Sequence, residues 1–410
     1  MIHPSSLLLL SLLCLPGADP AAKGPVFVVH TAAGNPVKGT LKQIDDTWSV
    51  LLEGAAPKVG GADLISLRRL DRLLPAPPAD AQVLFINGDR LRGKVGELKG
   101  DRLSFTMQIG QPQERINIEL KLPLSALAVL WFDNPAGMEH PDLVRRRLLA
   151  EKRTRETVWL RNGDIIQGNL LKLDPQGLDI EVDRKEVKVE GSKIAVIALN
   201  NELARTLLPK ERYAQLVLAD GSRLGLASAR SDGPTLTATT LFGETVTVPL
   251  DHVISLDIRQ GQAVYLSDLK PASYEYSPYL PGLAYSWMAD GCVGDGSPAG
   301  DDLRLGGATY VKGLGMHSES RITYALDAHY RRFEAVVGLD DRFGQKGKVR
   351  LQVLADGKPR DWGWDKELTA RDGPQEVRLD VKGVRELTLV VEYGRFDQGQ
   401  VNWADARLVK

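Results

Sequence analysis

Leu84-Phe85-Ile86-Asn87-Gly88-Asp89-Arg90-Leu91-Arg92-Gly93 recurs further along the chain as Trp159-Leu160-Arg161-Asn162-Gly163-Asp164-Ile165-Ile166-Gln167-Gly168. Each copy is an apolar run, an Asn-Gly turn and a second run. A tight turn of this kind needs positive φ, which Gly and Asn adopt at little cost, so each copy predicts a β-hairpin. A degenerate copy, Ala33-Gly34-Asn35-Pro36-Val37-Lys38-Gly39, precedes them. A fourth, Val217-Leu218-Ala219-Asp220-Gly221-Ser222-Arg223-Leu224, follows with its second glycine shifted to Gly225. Self-similarity of this sort points to one supersecondary unit used four times.

Each hairpin leads into further alternating segments. Leu178, Ile180 and Val182 alternate with Asp179, Glu181 and Asp183, and Leu103, Phe105 and Met107 repeat the pattern, as do Ile116, Ile118 and Leu120. Period-two alternation predicts half-buried antiparallel strands. Each unit therefore reads as a curled five-strand sheet or small barrel, a layout similar to Sm-like and SH3-like barrels. The expected division is 23–74, 80–134, 157–200 and 201–262 for the four units, with a helical insert at 135–156. Pro141 suits the first turn of that helix. A shorter helical piece is expected from Asn201 to Leu208, and a weak linker at Leu74-Pro75-Ala76-Pro77-Pro78. The units are expected as beads or as two pairs of packed barrels.

A formal net charge of −1 over 410 residues gives no field to draw in nucleic acid or an acidic membrane surface. The basic run Arg145-Arg146-Arg147, set among acidic neighbours, reads as a solvated helix face. Near the N-terminus, Leu7 to Leu15 is apolar, has signal-peptide length and is too short to cross a bilayer, so residues 1–22 are expected to be a cleaved signal. That would leave Cys292 as the one cysteine of the mature chain, without an internal disulfide. The expected location is secreted, periplasmic or on a bacterial cell surface.

From about Tyr265 the composition shifts. Trp287, Trp362, Trp364 and Trp403 lie here, with Tyr274, Tyr276, Tyr279 and Tyr285. Short alternating runs at Ile322–Leu326, Phe333–Val337, Val349–Val353, Val377–Val381, Leu387–Val391 and Ala406–Leu408 are separated by Gly-, Asp- and Pro-rich loops, the pattern of a β-sandwich. The whole chain is thus expected to be all-β: small barrel-like repeats, short helical inserts and a C-terminal sandwich at 265–410. Within that last region, Tyr310-Val311-Lys312-Gly313-Leu314-Gly315-Met316-His317-Ser318, Phe333 to Asp341, and Asn402-Trp403-Ala404-Asp405-Ala406 resemble the NPCBM family of carbohydrate-binding modules. The resemblance implies a galactose-binding-like jelly roll and a glycan ligand, and also a structural calcium ion. Asp340, Asp341 and Asp405 are the matched acidic positions for that ion. The segment before Trp403, Tyr393 to Asn402, lacks the histidine that many members carry.

Sugar recognition needs an aromatic face under a pyranose ring and a few planar polar groups on its hydroxyls. Trp287, Trp364 and Trp403 are the candidate platforms and His317 the candidate hydroxyl partner. Trp362 and Trp364 flank Gly363, and only one of the two is expected to face a given side. Adjacent acidic pairs, scattered histidines and the absence of a nucleophile elbow or phosphate loop argue against catalysis. The expected function is an exported, non-catalytic carbohydrate-binding protein whose repeats act as spacers or interaction modules. A protein-interaction scaffold and an accessory subunit of a polysaccharide-degrading system are the alternatives.

Overall fold

The computed structural model describes residues 24–410 except 54–57, 111, 139, 203, 205–207, 278–291, 343, 345 and 395–398. The expected signal, Trp287, half of the 201–208 helical piece and part of the loop before Trp403 lie outside the described residues. The protein is nearly all-β, with one α-helix among the described residues, Pro141–Ala150.

Four units precede the sandwich. The second comprises strands Gln82–Phe85, Arg90–Lys99, Arg102–Ile109, Ile116–Pro123 and Leu127–Trp131. Its first strand pairs with both the second and the last, and the rest pair in sequence, so the sheet curls back on itself. The third unit (Glu156–Ala198) and the fourth (Tyr213–Arg259) repeat this order. The first unit has four strands between Val26 and Arg69. The Asn-Gly-Asp motif makes the first turn. Gly88, Gly163 and Gly221 sit at φ +88°, +94° and +85°, and the preceding Asn87, Asn162 and Asp220 side chains accept the N–H two residues on. The second glycine of the motif has a different cause. A Cβ on Gly93 would lie 2.2 Å from the Thr106 carbonyl, because the neighbouring strand crosses there as the sheet bends.

The last strands join the units in pairs. Val196 and Ile197 of the third unit pair with Trp131 and Leu130 of the second, and Ser255 to Asp257 of the fourth pair with Arg68 to Ser66 of the first. A single bridge, Arg223 to Arg90, ties the fourth unit to the second. The proline-rich segment at 74–78 is no free linker: Leu74 is buried with Val217, Ile254 and Ala308, and its carbonyl accepts the Thr309 N–H. The helix is not solvated all along its basic run either. Arg145 is 3% exposed, lies 4.4 Å from the Trp131 ring and donates to Asp142, while Arg146 donates to the carbonyls of Asp295 and Asp301. Of the three arginines only Arg147 is exposed.

The C-terminal region is a two-sheet sandwich. One sheet runs Cys292–Gly294, Gly313–His317, Gln400–Val409, Arg332–Leu339, Gln375–Asp380, with Ala263–Tyr265 also on Gln400–Val409. The other runs Ser273–Tyr276, Ser320–Ala325, Glu386–Tyr393, Lys348–Ala355, Lys358–Pro359. Alternate residues such as Phe333, Ala335 and Val337, and Val349, Leu351 and Val353, fill the core between them. The sandwich packs on the units through Ala32, Ile65, Ala263 and Val409, and Arg331 and Arg332 both donate to the Ala32 carbonyl.

Candidate functional site

The strand Gly313–His317 explains its own glycines. A Cβ on Gly315 would stand 2.4 Å from the Gly296 carbonyl, so the 296–298 backbone crosses directly over the strand. That crossing chain then orients His317, whose ring hydrogen-bonds the Pro298 carbonyl. His317 Nε2 is buried and has no partner, which leaves Nδ1–H as the donor to Pro298. Burial pushes the imidazole pKa down against the opposing effect of that hydrogen bond, so the ring is neutral near pH 7. A neutral imidazole that donates through Nδ1 presents Nε2 as a bare acceptor, the complement of a hydroxyl donor. The ring of half-buried Tyr276, from the edge strand of the second sheet, lies 6.0 Å away and tilted by 41°. The hydroxyl of Tyr393 donates to the Ser277 carbonyl at 3.0 Å and fixes the chain just beyond Tyr276. Tyr276 held no assigned role in the sequence reading; its alternation with Tyr274 beside the first sandwich strand was the available signal.

The other expected platforms lie elsewhere. Trp403 is 0% exposed in the sandwich core, directly paired with Leu314, and offers no face to a sugar. A central strand whose neighbours are paired on both sides buries its large apolar residues, and that outweighs the aromatic cue. Trp362 and Trp364 do not point to opposite sides. Gly363 at φ +88° makes a turn, with Asp361 accepting its N–H, so the indoles stack at 6.5 Å and 18° while packing against the core. Lys366 Nζ lies 4.5 Å from the Trp364 ring centre. This loop belongs to the far edge of the second sheet, with three strands between it and Tyr276. His317 and Trp364 therefore do not form one site.

The three matched acidic residues also part company. Asp341 accepts the N–H groups of Gly306 and Gly307, Asp340 accepts from Asn402 and from the Arg342 N–H, and Asp405 is ion-paired to Arg68 of the first unit. Asp405 has φ +49° in a bulge opposite Ala335, which turns its carboxylate out of the sheet toward the units. Calcium needs six to eight converging oxygens. These carboxylates are spent on N–H donors and a guanidinium, and do not fit that ion. No group of three or more His, Cys, Asp or Glu suited to a metal occurs among the described residues.

Residues 262–409 match the NPCBM/NEW2 domain family. A segment of 118 residues is 32% identical to part of a protein named "Putative endo-alpha-N-acetylgalactosaminidase" from Renibacterium salmoninarum, covering 28% of this chain and 7% of that protein. The chain thus corresponds to a small fraction of the relative it matches. Among solved structures, a CBM51 module of Clostridium perfringens GH95 in complex with methyl-galactose is 26% identical, covering 36% of this chain and 99% of that one, with a TM-score of 0.31. CBM51-2 with the INT domains of Clostridium perfringens ZmpB, in complex with GlcNAc, is 22% identical over 43% of this chain and 36% of that one, also with a TM-score of 0.31.

Proposed function

We propose that the NPCBM/NEW2 segment binds carbohydrate at the sandwich edge formed by Tyr276 and His317, in an exported and non-catalytic protein. The observation that carries this reading is the bare, buried Nε2 acceptor of His317 beside an aromatic ring, within a segment matching a carbohydrate-binding family. A pyranose stacked on Tyr276 would bring a ring hydroxyl to that nitrogen. The four units then serve as a fixed base, since the sandwich is packed on them through buried side chains and ion pairs. Glycans bearing α-linked N-acetylgalactosamine are the first to test, given the activity in the name of the Renibacterium relative.

The test is a glycan array probed with the full chain, followed by titration calorimetry on the hits. His317→Ala and Tyr276→Ala are each expected to weaken a hit by about tenfold or more, the cost of one buried polar or aromatic contact. Trp364→Ala, at the opposite edge, is expected to leave it unchanged. A blank array with folded protein overturns glycan binding. Hits that survive both edge variants but fall with Trp364→Ala move the site to the other edge.

A further inference from the structure

A cavity of about 710 Å³ lies where the second unit, the fourth unit, the helix and the sandwich meet. That is the size of a small-molecule site. Its walls carry an unusual set of charges. Arg90 and Arg223 open the second strands of their units, immediately after the hairpin turns, and the junction of the units sets them directly opposite each other. Like charges in register repel. Arg146 and Arg259 face the same space. Lys312 already bridges Asp268 and Asp295, which leaves Asp302 as the remaining lining side-chain carboxylate for four guanidinium groups.

Asp302 is not enough. It lies 3.5 Å from Arg90, and Arg223 reaches only the Thr309 carbonyl, at 3.3 Å. Arg146 donates to backbone carbonyls rather than to a carboxylate. Arg90 Nε, Arg223 Nε, Arg259 Nη1 and the Tyr265 hydroxyl are buried without any partner, on side chains of residues that are 7%, 4%, 6% and 2% exposed. Burial pushes the Arg223 pKa down to about 10, with Asp302 acting upward and Arg90 downward. Desolvated guanidinium groups with idle N–H donors are geometrically matched to a planar or tetrahedral oxyanion. The rest of the lining, including Tyr213, Gln215 and Tyr310, offers rings and an amide to an organic body. The cavity is also far larger than a bare inorganic oxyanion.

We infer that this cavity is a binding site for a small organic anion, a carboxylate-, sulfate- or phosphate-bearing molecule of about sugar size, with its oxyanion held by Arg90 and Arg223 in competition with Asp302. The site is separate from the Tyr276–His317 edge, and the inference does not rest on the glycan reading. It is tested by calorimetry on the full chain at constant ionic strength, with glucuronate, glucose 6-phosphate, inorganic sulfate, inorganic phosphate and glucose as probes. Saturable binding of one of the two organic anions and none of glucose is expected. Arg223→Gln should weaken it by about tenfold or more, as loss of a charge-assisted hydrogen bond does, and Arg223→Lys by less. Asp302→Asn should tighten it, a change that damage to the fold cannot mimic. Failure of every anion to bind, equal binding to Arg223→Gln, or weaker binding to Asp302→Asn overturns the site. Sulfate or phosphate binding as tightly as the organic anions overturns the organic body. His317→Ala is expected to leave these affinities unchanged, so this site and the sugar edge can fail separately.

Discussion

The paired strands Gly313–His317 and Gln400–Val409 can be set against the seam where Arg68, His30, Asp405 and Arg407 meet. The first region holds most of the family motif and is closely packed: Leu314, Met316, Val401 and Trp403 are buried among apolar neighbours with in-register partners. The second is polar, and its partners are far apart in the chain, Arg68 pairing with both Asp257 and Asp405. The motif residues with the strongest sequence signal thus mainly build the sandwich, and idle buried polar atoms remain on His317 and, across from it, on Gln400, Asn402 and Trp403. The seams, which carry little sequence signal, hold buried charged groups whose partners come from distant parts of the chain.

The sharpest way to break this comparison is Trp403→Ala. Removing a fully buried indole from the sandwich core is expected to cost about 4 kcal/mol. Urea unfolding followed by near-ultraviolet circular dichroism should show the sandwich transition move to much lower denaturant, and glycan binding should vanish only as the fold does. A protein that keeps its midpoint and loses binding would return Trp403 to the binding face and undo the assignment of the motif to the core.

The fold class was open to sequence reading because period-two alternation is a local consequence of strand geometry. Every residue of the runs Phe333, Ala335, Val337 and Leu387, Leu389, Val391 is buried, as their alternation requires. The candidate site was legible only in part. His317 stood out, but the neutral acceptor at Nε2 depends on the 296–298 backbone crossing Gly315, which no spacing reveals. Arg146 read as part of a solvated helix face and Arg90 and Arg223 only as letters of the repeats, because burial of a long cationic side chain is decided by what packs over it. Trp403 misled for the converse reason: aromatic residues serve cores and sugar platforms equally well.

Asp405→Ala probes the seam itself. Burial would raise the Asp405 pKa, but Arg68, Arg407 and Arg259 outweigh it and hold the carboxyl below its ordinary value. Removing one partner of such a pair leaves guanidinium charge poorly compensated, an expected loss of about 3 kcal/mol. The loss should appear first as separation of the sandwich from the units, seen as a second unfolding transition or as new protease cleavage between them. Arg68→Met is expected to cost more still, since it strands both the Asp257 and the Asp405 carboxylates. A loss no larger than that of an exposed surface pair would make the seam as inert as the outer face.

The smallest effect is also the most diagnostic, because it distinguishes seam from core by pH alone. His30 is largely buried at this junction, and burial, then Arg407 and Arg68, lower its pKa from 6.5 to about 4. Near pH 7 the ring is mostly neutral in both folded and unfolded chains and contributes little pH dependence. As pH falls through 6.5 the unfolded chain takes up a proton that the folded protein refuses until about pH 4, so stability declines across that window. The expected decline is roughly 2 kcal/mol, less than the full linkage value because the ring is not wholly removed from water. Asp405 acts in a lower window: its contribution is present above the ordinary carboxylate pKa and is lost as pH falls further through its depressed folded value. Thermal midpoints measured from pH 7 to pH 4 should therefore fall for the wild type and fall less steeply for His30→Gln, with the two curves converging toward neutrality. Parallel curves would show that His30 takes its proton in the folded protein as readily as in the unfolded one, and that the cationic seam does not govern its charge.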